Sequence, residues 1–386
     1  MKLLSTLTSL LAVMTLVIAL PPSTGNPEAA ARKEIKDYKK KYTKYVHDTL
    51  KMRKTGCTKK KLLVRKEWST LSKVERRNYI NAIYCLASKP GLTPSSPYAS
   101  YLPGARTRYD DFVAAHHLQS DYIHNDGLFL GFHRYYVHLY EQALRQECGY
   151  RAAQPYWDWT IGWEDPRQTA VFDGSPWSMG SNGVFIPVRP PTIVNFGAEI
   201  GDQPVAVGTG GGCVEKGPFT ADKYQIHLGP TGYEPHGPLD GRGYNPRCLN
   251  RDITLEVAQN LRPSNVAGLL GQGNLFNFSL VLDAPAGVHV AGHFSVAGMQ
   301  LDIFNGPSDP IFWLHHAMTD LVWTVWQAQD AKGRLEQVWG TVTAFDFPPS
   351  ENATLDSPLN FTTIGPPKRL SDMISSIDGP FCYIYE

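Results

Sequence analysis

The chain has no surplus of either charge. Its 386 residues carry 37 Lys and Arg against 36 Asp and Glu, a net charge of +1. That balance argues against a nucleic-acid partner, which calls for a basic face. None of the six cysteines forms a CxxC pair or a Cys/His zinc pattern, and no HExxH occurs. A zinc hydrolase, which needs a carboxylate base beside its ligands, is therefore disfavoured. No repeat, low-complexity tract or linker divides the chain. Beyond its N-terminus, no stretch reads as apolar enough to span a bilayer, so no membrane partner is expected.

The N-terminus reads MKLLSTLTSLLAVMTLVIALPPSTG, a Lys, then an apolar run, then small residues and prolines. That is the pattern of a secretory signal peptide, taken as residues 1–20 with an end between Ala19 and Gly25. Residues 26–386 are read as a single domain, secreted and extracellular. In such a chain Cys57, Cys85, Cys148, Cys213, Cys248 and Cys382 point to disulfides. Cys213–Cys248 is the one pairing expected, because both lie in a Gly- and Pro-rich loop region. Sequons at Asn277, Asn352 and Asn360 fit export.

Lysine-rich residues 31–54 read as a solvated N-terminal helix or arm. Ser72 or Thr70 can cap a helix whose apolar positions include Tyr79, Ile80, Ile83 and Leu86. Residues 160–285 are poor in helix signals and read as long loops with short strands over a helical core. GTGGGC within them lacks the flanking strand and helix of a phosphate loop. His227 and His236 read as surface residues. Residues 255–280 suggest one more short helix. The end, LSDMISSIDGPFCYIYE, reads as a helix followed by a short strand tied by Cys382.

The histidines are not scattered. Of twelve, five lie between His116 and His138 and four between His289 and His316. Imidazole suits Zn, Cu, Fe and Ni, and Cu stands near the top of the affinity order. His289 and His293 are four apart, on one face of a helix. His124 and His133 are nine apart, about 180° around any shared helix, so one helix cannot aim both at one ion. Gly127 and Gly131 break the stretch between them. His116 is thus placed on one helix, His124 in a loop, and His133 at the start of a long helix running to about Glu147. Tyr136, Tyr140, Ala143 and Leu144 lie on the buried side of that helix. His138 falls off the face of His133. Neighbours on a helix point about 100° apart, so at most one of His116/His117 and one of His315/His316 ligates. Periodicity does not decide which.

DDFVAAH, FLGFHRYYVHLYEQALRQECGY with PYWDW, HVAGH and DPIFWLHHAMTD resemble the signatures of the type 3, or coupled binuclear, copper proteins. These are the tyrosinases, catechol oxidases and hemocyanins, and the similarity is greatest to short secreted fungal catechol oxidases and tyrosinases. The resemblance implies a mainly α fold, a four-helix bundle holding a dicopper centre, with long loops and a few short strands. It implies two copper ions, one on His116, His124 and His133 and one on His289, His293 and His316. His117 and His315 then become packing or supporting residues. Arg134, next to His133, and Asp320, one turn past His316, are read as a buried charge pair fixing the two ligand helices.

The implied partners are small phenols and O2, with o-diphenols oxidised to o-quinones. Val290 and Phe294 follow ligands, and Ile303 lies where the family places an apolar gate, so these three are expected to border substrate. Efficient monophenol hydroxylases often carry Asn where Val290 stands and a glutamate upstream. Here Leu280 is near that position and Asp283 is the nearest acid. The expectation is a catechol oxidase with weak or no phenol hydroxylation. A full tyrosinase and a hemocyanin-like O2 binder are the alternatives. Tyr122 stands where larger fungal members place a Cys that crosslinks to a ligand, so no thioether is expected. Phe132 replaces a common Trp, and no Arg follows Asp320. No long C-terminal extension covers the site, so no lid-type proenzyme is expected. The oligomeric state is not set by these features.

Overall fold

The computed structural model describes residues 26–195, 201–231 and 240–386. The signal-peptide reading and His236 lie outside them. In chain order the longer helices are α1 (Pro27–Leu50), α2 (Lys73–Ser88), α3 (Arg108–Gln119), α4 (Phe129–Glu147), α5 (Pro263–Leu270), α6 (Leu275–Asp283), α7 (Val288–Val296) and α8 (Ile311–Ala328). The strands are β1 (Leu63–Arg65), β2 (Gly183–Phe185), β3 (Thr192–Asn195), β4 (Asp202–Val205), β5 (Gly211–Val214), β6 (Pro358–Leu359), β7 (Lys368–Arg369) and β8 (Tyr383–Tyr385). Among the described residues they form four two-stranded sheets, β1–β8, β2–β5, β3–β4 and β6–β7. The molecule is mainly helical, with strands confined to its loops and edges.

The helices start where the chemistry of their caps allows. Ser72 accepts from the Glu75 N–H while Glu75 reaches back to the Ser72 N–H, and Thr107 and Asp110 do the same for α3. Asp126 accepts from the N–H groups of Leu128 and Phe129 and so satisfies the start of α4. Gly131 does not break α4 but lies inside it. A Cβ there would stand 2.3 Å from Leu370 Cδ1, so the bare backbone admits that leucine.

Four local readings change. The lysine-rich segment is one helix, but Tyr42, Val46 and Leu50 are buried as α1 packs on α5 and α8. Residues 255–280 are not one helix: Pro263 can stand only in a first turn, so Leu255–Ala258, α5 and the start of α6 are separate. The C-terminal stretch before β8 makes only a 3-10 turn, Leu370–Met373. Leu275–Val296 is apolar and long enough to cross a membrane, contrary to the reading above, yet residues 284–287 divide it into α6 and α7 and half of it is buried.

The core is aromatic. α8 is buried along its whole length, and Trp313 stacks on Tyr140 of α4 at 3.7 Å and 2°. Phe112 of α3 packs edge-on against both. The two ends of the chain meet where β1 pairs in parallel with β8, beside Cys57–Cys382. Cys85–Cys148 ties α2 to the end of α4, and Cys213–Cys248 staples the loop region. The side chains of Asn277, Asn352 and Asn360 are exposed.

Candidate metal centre

α3, the 120–128 loop and α4 bring His116, His124 and His133 together, with ring centroids 5.0–5.5 Å apart. The Nε2 atoms of His116 and His133 are 3.4 Å apart. α7 presents His289 and His293 on one face. The Nε2 of His293 lies 3.2 Å from that of His289 and 3.1 Å from that of His316 on α8. The clusters abut, since His133 and His316 stack at 4.3 Å with 14° between their planes.

Five of these six rings are oriented by an acceptor on Nδ1. His116 donates to the Phe304 carbonyl, His124 to Ser120 and His133 to Phe129, each at 2.9 Å. His289 donates to Asp283 and His293 to Gln300, each at 2.8 Å. Gln300 is itself fixed by donating to the Gly306 carbonyl. His316 Nδ1 has no hydrogen-bond partner. A neutral imidazole with its proton on Nδ1 has a bare lone pair on Nε2. Burial, the largest cause, holds His124 at about 4, His289 at about 3 and the other four well below their ordinary value, so all six are neutral at pH 7.

Lone pairs converging at 3.1–3.4 Å repel unless a cation lies between them. Two imidazole nitrogens about 2.0 Å from one tetrahedral ion stand about 3.3 Å apart. The donor sets therefore fit two metal ions bound through neutral nitrogen.

His315 also lies within the second cluster. Its Nδ1 accepts from the Trp159 indole N–H at 3.0 Å. That leaves the proton on Nε2, so a neutral His315 has no free lone pair for a metal. Trp159, the last residue of PYWDW, thus separates His315 from His316, which periodicity had left open. Gly292 serves the same packing: a Cβ there would stand 2.1 Å from His315 Cε1. His117 donates from Nδ1 to Asn305 and accepts at Nε2 from Arg242, so it faces away from the cluster. His138 packs on Tyr135 and Phe381, and His227 bonds Asp110 at 2.8 Å; neither joins a cluster.

Arg134 Nε meets Asp320 Oδ1 at 2.6 Å, fully buried, and so ties α4 to α8. The other oxygen accepts from Tyr383 and Tyr385 at 2.6 Å and from Arg65 at 3.4 Å. Burial raises the Asp320 carboxyl, but Arg134 and Arg65 more than offset this and hold it below the usual range. Tyr122 is half exposed, and all six cysteines are in disulfides, so no thiol is free to crosslink His124.

A cavity opens on both clusters. Val290, Phe294 and Ile303 line it, with Phe129 and Phe312. So do Asn125, Val194 and Phe345, which no local pattern had marked. Leu280 is half exposed, whereas Asp283 borders the cavity and holds His289. Burial pushes Asp283 up to about 8, and a cation on His289 pulls it the other way. Neither Asp283 nor Gln300 had been singled out as a ligand's partner. The only sequence signal was an acid six residues before His289 and an amide seven after His293.

The family model for the common central domain of tyrosinase matches residues 106–329. Tyrosinase P of Aspergillus terreus is 36% identical, over 83% of this chain and 91% of that one. N-acetyl-6-hydroxytryptophan oxidase ivoB of Emericella nidulans is 35% identical, over 86% and 94%. A solved polyphenol oxidase from Thermothelomyces thermophila, a glycine-to-asparagine variant, superposes with a TM-score of 0.84 at 36% identity, covering 92% of this chain and 98% of that one. With two abutting three-nitrogen clusters and these likenesses together, the chain belongs to the tyrosinase family of type 3 dicopper oxidoreductases.

Proposed function

We propose that the chain is a secreted catechol oxidase that uses O2 to take o-diphenols to o-quinones, with weak or no ortho-hydroxylation of monophenols. His116, His124 and His133 would hold one copper, and His289, His293 and His316 the other. Copper held there would supply one-electron redox chemistry, so that two diphenols, each giving up two electrons and two protons, account for one O2 reduced to two waters. The protein's part is positional. Acceptors on five Nδ1 atoms keep the Nε2 lone pairs aimed inward, so little reorganisation accompanies turnover. Val290, Phe294 and Ile303 give the phenol ring an apolar wall and exclude water from it.

The observation that carries the diphenolase preference is Val290, buried against the cavity directly after His289. Its side chain cannot hold a water or accept the proton that a monophenol must lose. Asp283 favours the alternative of a full tyrosinase, because it is a carboxylate that borders the cavity and touches a ligand. Its nearer oxygen is already taken by His289, which weakens that reading.

Oxygen uptake on 4-tert-butylcatechol and on 4-tert-butylphenol, with copper measured on the same sample, tests the proposal. Rapid uptake on the catechol and little on the phenol is expected. Lag-phase turnover of the phenol at a rate near that of the catechol would overturn the preference. No uptake on the catechol would leave an O2 binder of the hemocyanin kind.

A further inference from the structure

The turn that carries Phe345 departs from ordinary backbone. Phe345 has φ 55° and ψ 24°, and Asp346 follows with φ 53°. A bulky residue in the left-handed region is uncommon and persists only where its surroundings impose it. Here they do. The Phe345 N–H donates to the carbonyl of Asn125, the residue after His124. Asp346 accepts from the Ser350 N–H, and Thr343 donates to the Pro348 carbonyl. The turn thus anchors itself and the loop of one histidine cluster. Phe345 packs against the apolar cluster of Val194 and Val205, from the β3–β4 hairpin, and Val290.

Charge completes the picture. Among the described residues, neither Lys nor Arg lines the cavity. Both bordering carboxylates are engaged: Asp283 by His289, and Asp302 by the N–H groups of Thr231, Phe304 and Asn305. A diphenol whose hydroxyls face the histidine clusters turns its ring substituent toward this wall, where a carboxylate would lose water and find no Lys or Arg in exchange.

We infer that Phe345, with Val194 and Val290, forms an apolar wall that selects o-diphenols with a neutral, apolar ring substituent over those with a carboxylate. This rests on the diphenol reading of the site. Phe345 is the specificity-determining residue, and its left-handed turn keeps the ring over the cavity. An asparagine accepts that backbone and removes the ring, and a leucine keeps an apolar side chain.

The test is anaerobic titration of the full chain, loaded with copper and reduced beforehand so that it cannot oxidise the diphenol, with 4-propylcatechol and with its carboxylate counterpart dihydrocaffeate. Propylcatechol should bind at least about tenfold more tightly than dihydrocaffeate. F345N should erase most of that ratio, and F345L should retain it. A wild-type ratio near one, or a ratio that F345N leaves unchanged, would overturn the inference. Oxygen uptake on the same compounds separates the two readings. The expected binding ratio without oxygen consumption supports the wall and sinks the oxidase. Equal turnover of propylcatechol and dihydrocaffeate, with equal binding, does the reverse.

Discussion

Asp320→Asn removes one charge and almost no volume. In the wild type the carboxylate accepts from Arg134, Arg65, Tyr383 and Tyr385, all fully buried. The amide offers one acceptor oxygen and turns an NH2 toward groups that are themselves donors. Glu141 remains as an anionic partner for Arg65, but Arg134 keeps only neutral ones: Thr324, Gln327, the Met373 carbonyl and the Trp323 ring. Breaking a buried pair from one side costs about 3–5 kcal/mol. A folded chain of roughly 360 residues has an unfolding entropy of about 0.8 kcal/mol/K, so the melting temperature should fall by about 4–6 °C. The folded-state carboxyl lies below its unfolded value near 3.9, so its contribution is full above about pH 5 and is lost as pH falls through the folded value. The gap between wild type and variant should close accordingly. Melting followed by circular dichroism from pH 3 to 7 measures it, with copper per chain determined on each sample. A cycle with Arg134→Gln should give a coupling of about 1–3 kcal/mol. Wild-type melting and two coppers in Asp320→Asn would refute the idea that this pair fixes the ligand helices.

Other outcomes follow from the same geometry. His316→Gln should leave about one copper per chain, whereas His315→Gln should keep two; metal analysis of the pair decides between the neighbours. Asp283→Asn and Gln300→Leu should each weaken copper retention at the second cluster by about 10–100-fold, read by competition with a chelator. Unchanged retention would mean that those bonds do not orient His289 and His293. Gly292→Ala should cost about 1–3 kcal/mol in thermal melting, because its Cβ meets the His315 ring at 2.1 Å. A neutral effect would show that His315 moves aside freely.

The sequence disclosed what is local. His289 and His293 share a face by spacing alone, and helix arithmetic keeps His124 and His133 from reaching one ion from a single helix. The cap of α2 was legible in Ser72 and Glu75 for the same reason. What failed to show was set by distant contacts. Trp159 reaches His315 across 156 residues, and Phe304 holds His116 across 188. Val194 and Phe345 meet at the cavity from opposite parts of the chain. Cys57–Cys382 closes a separation of 325 residues that no pattern announces. The last helix reading failed because LSDMISS carries helical apolar spacing while its residues are spent on the turn below α4.

The central claim is that six Nε2 atoms, three and three, each set hold one ion. Anomalous diffraction at the copper edge from copper-loaded crystals addresses it directly. Two peaks are predicted, each about 2.0 Å from three Nε2 atoms, one among His116, His124 and His133 and one among His289, His293 and His316. A single peak, or a peak bound by His315 in place of His316, would contradict the account.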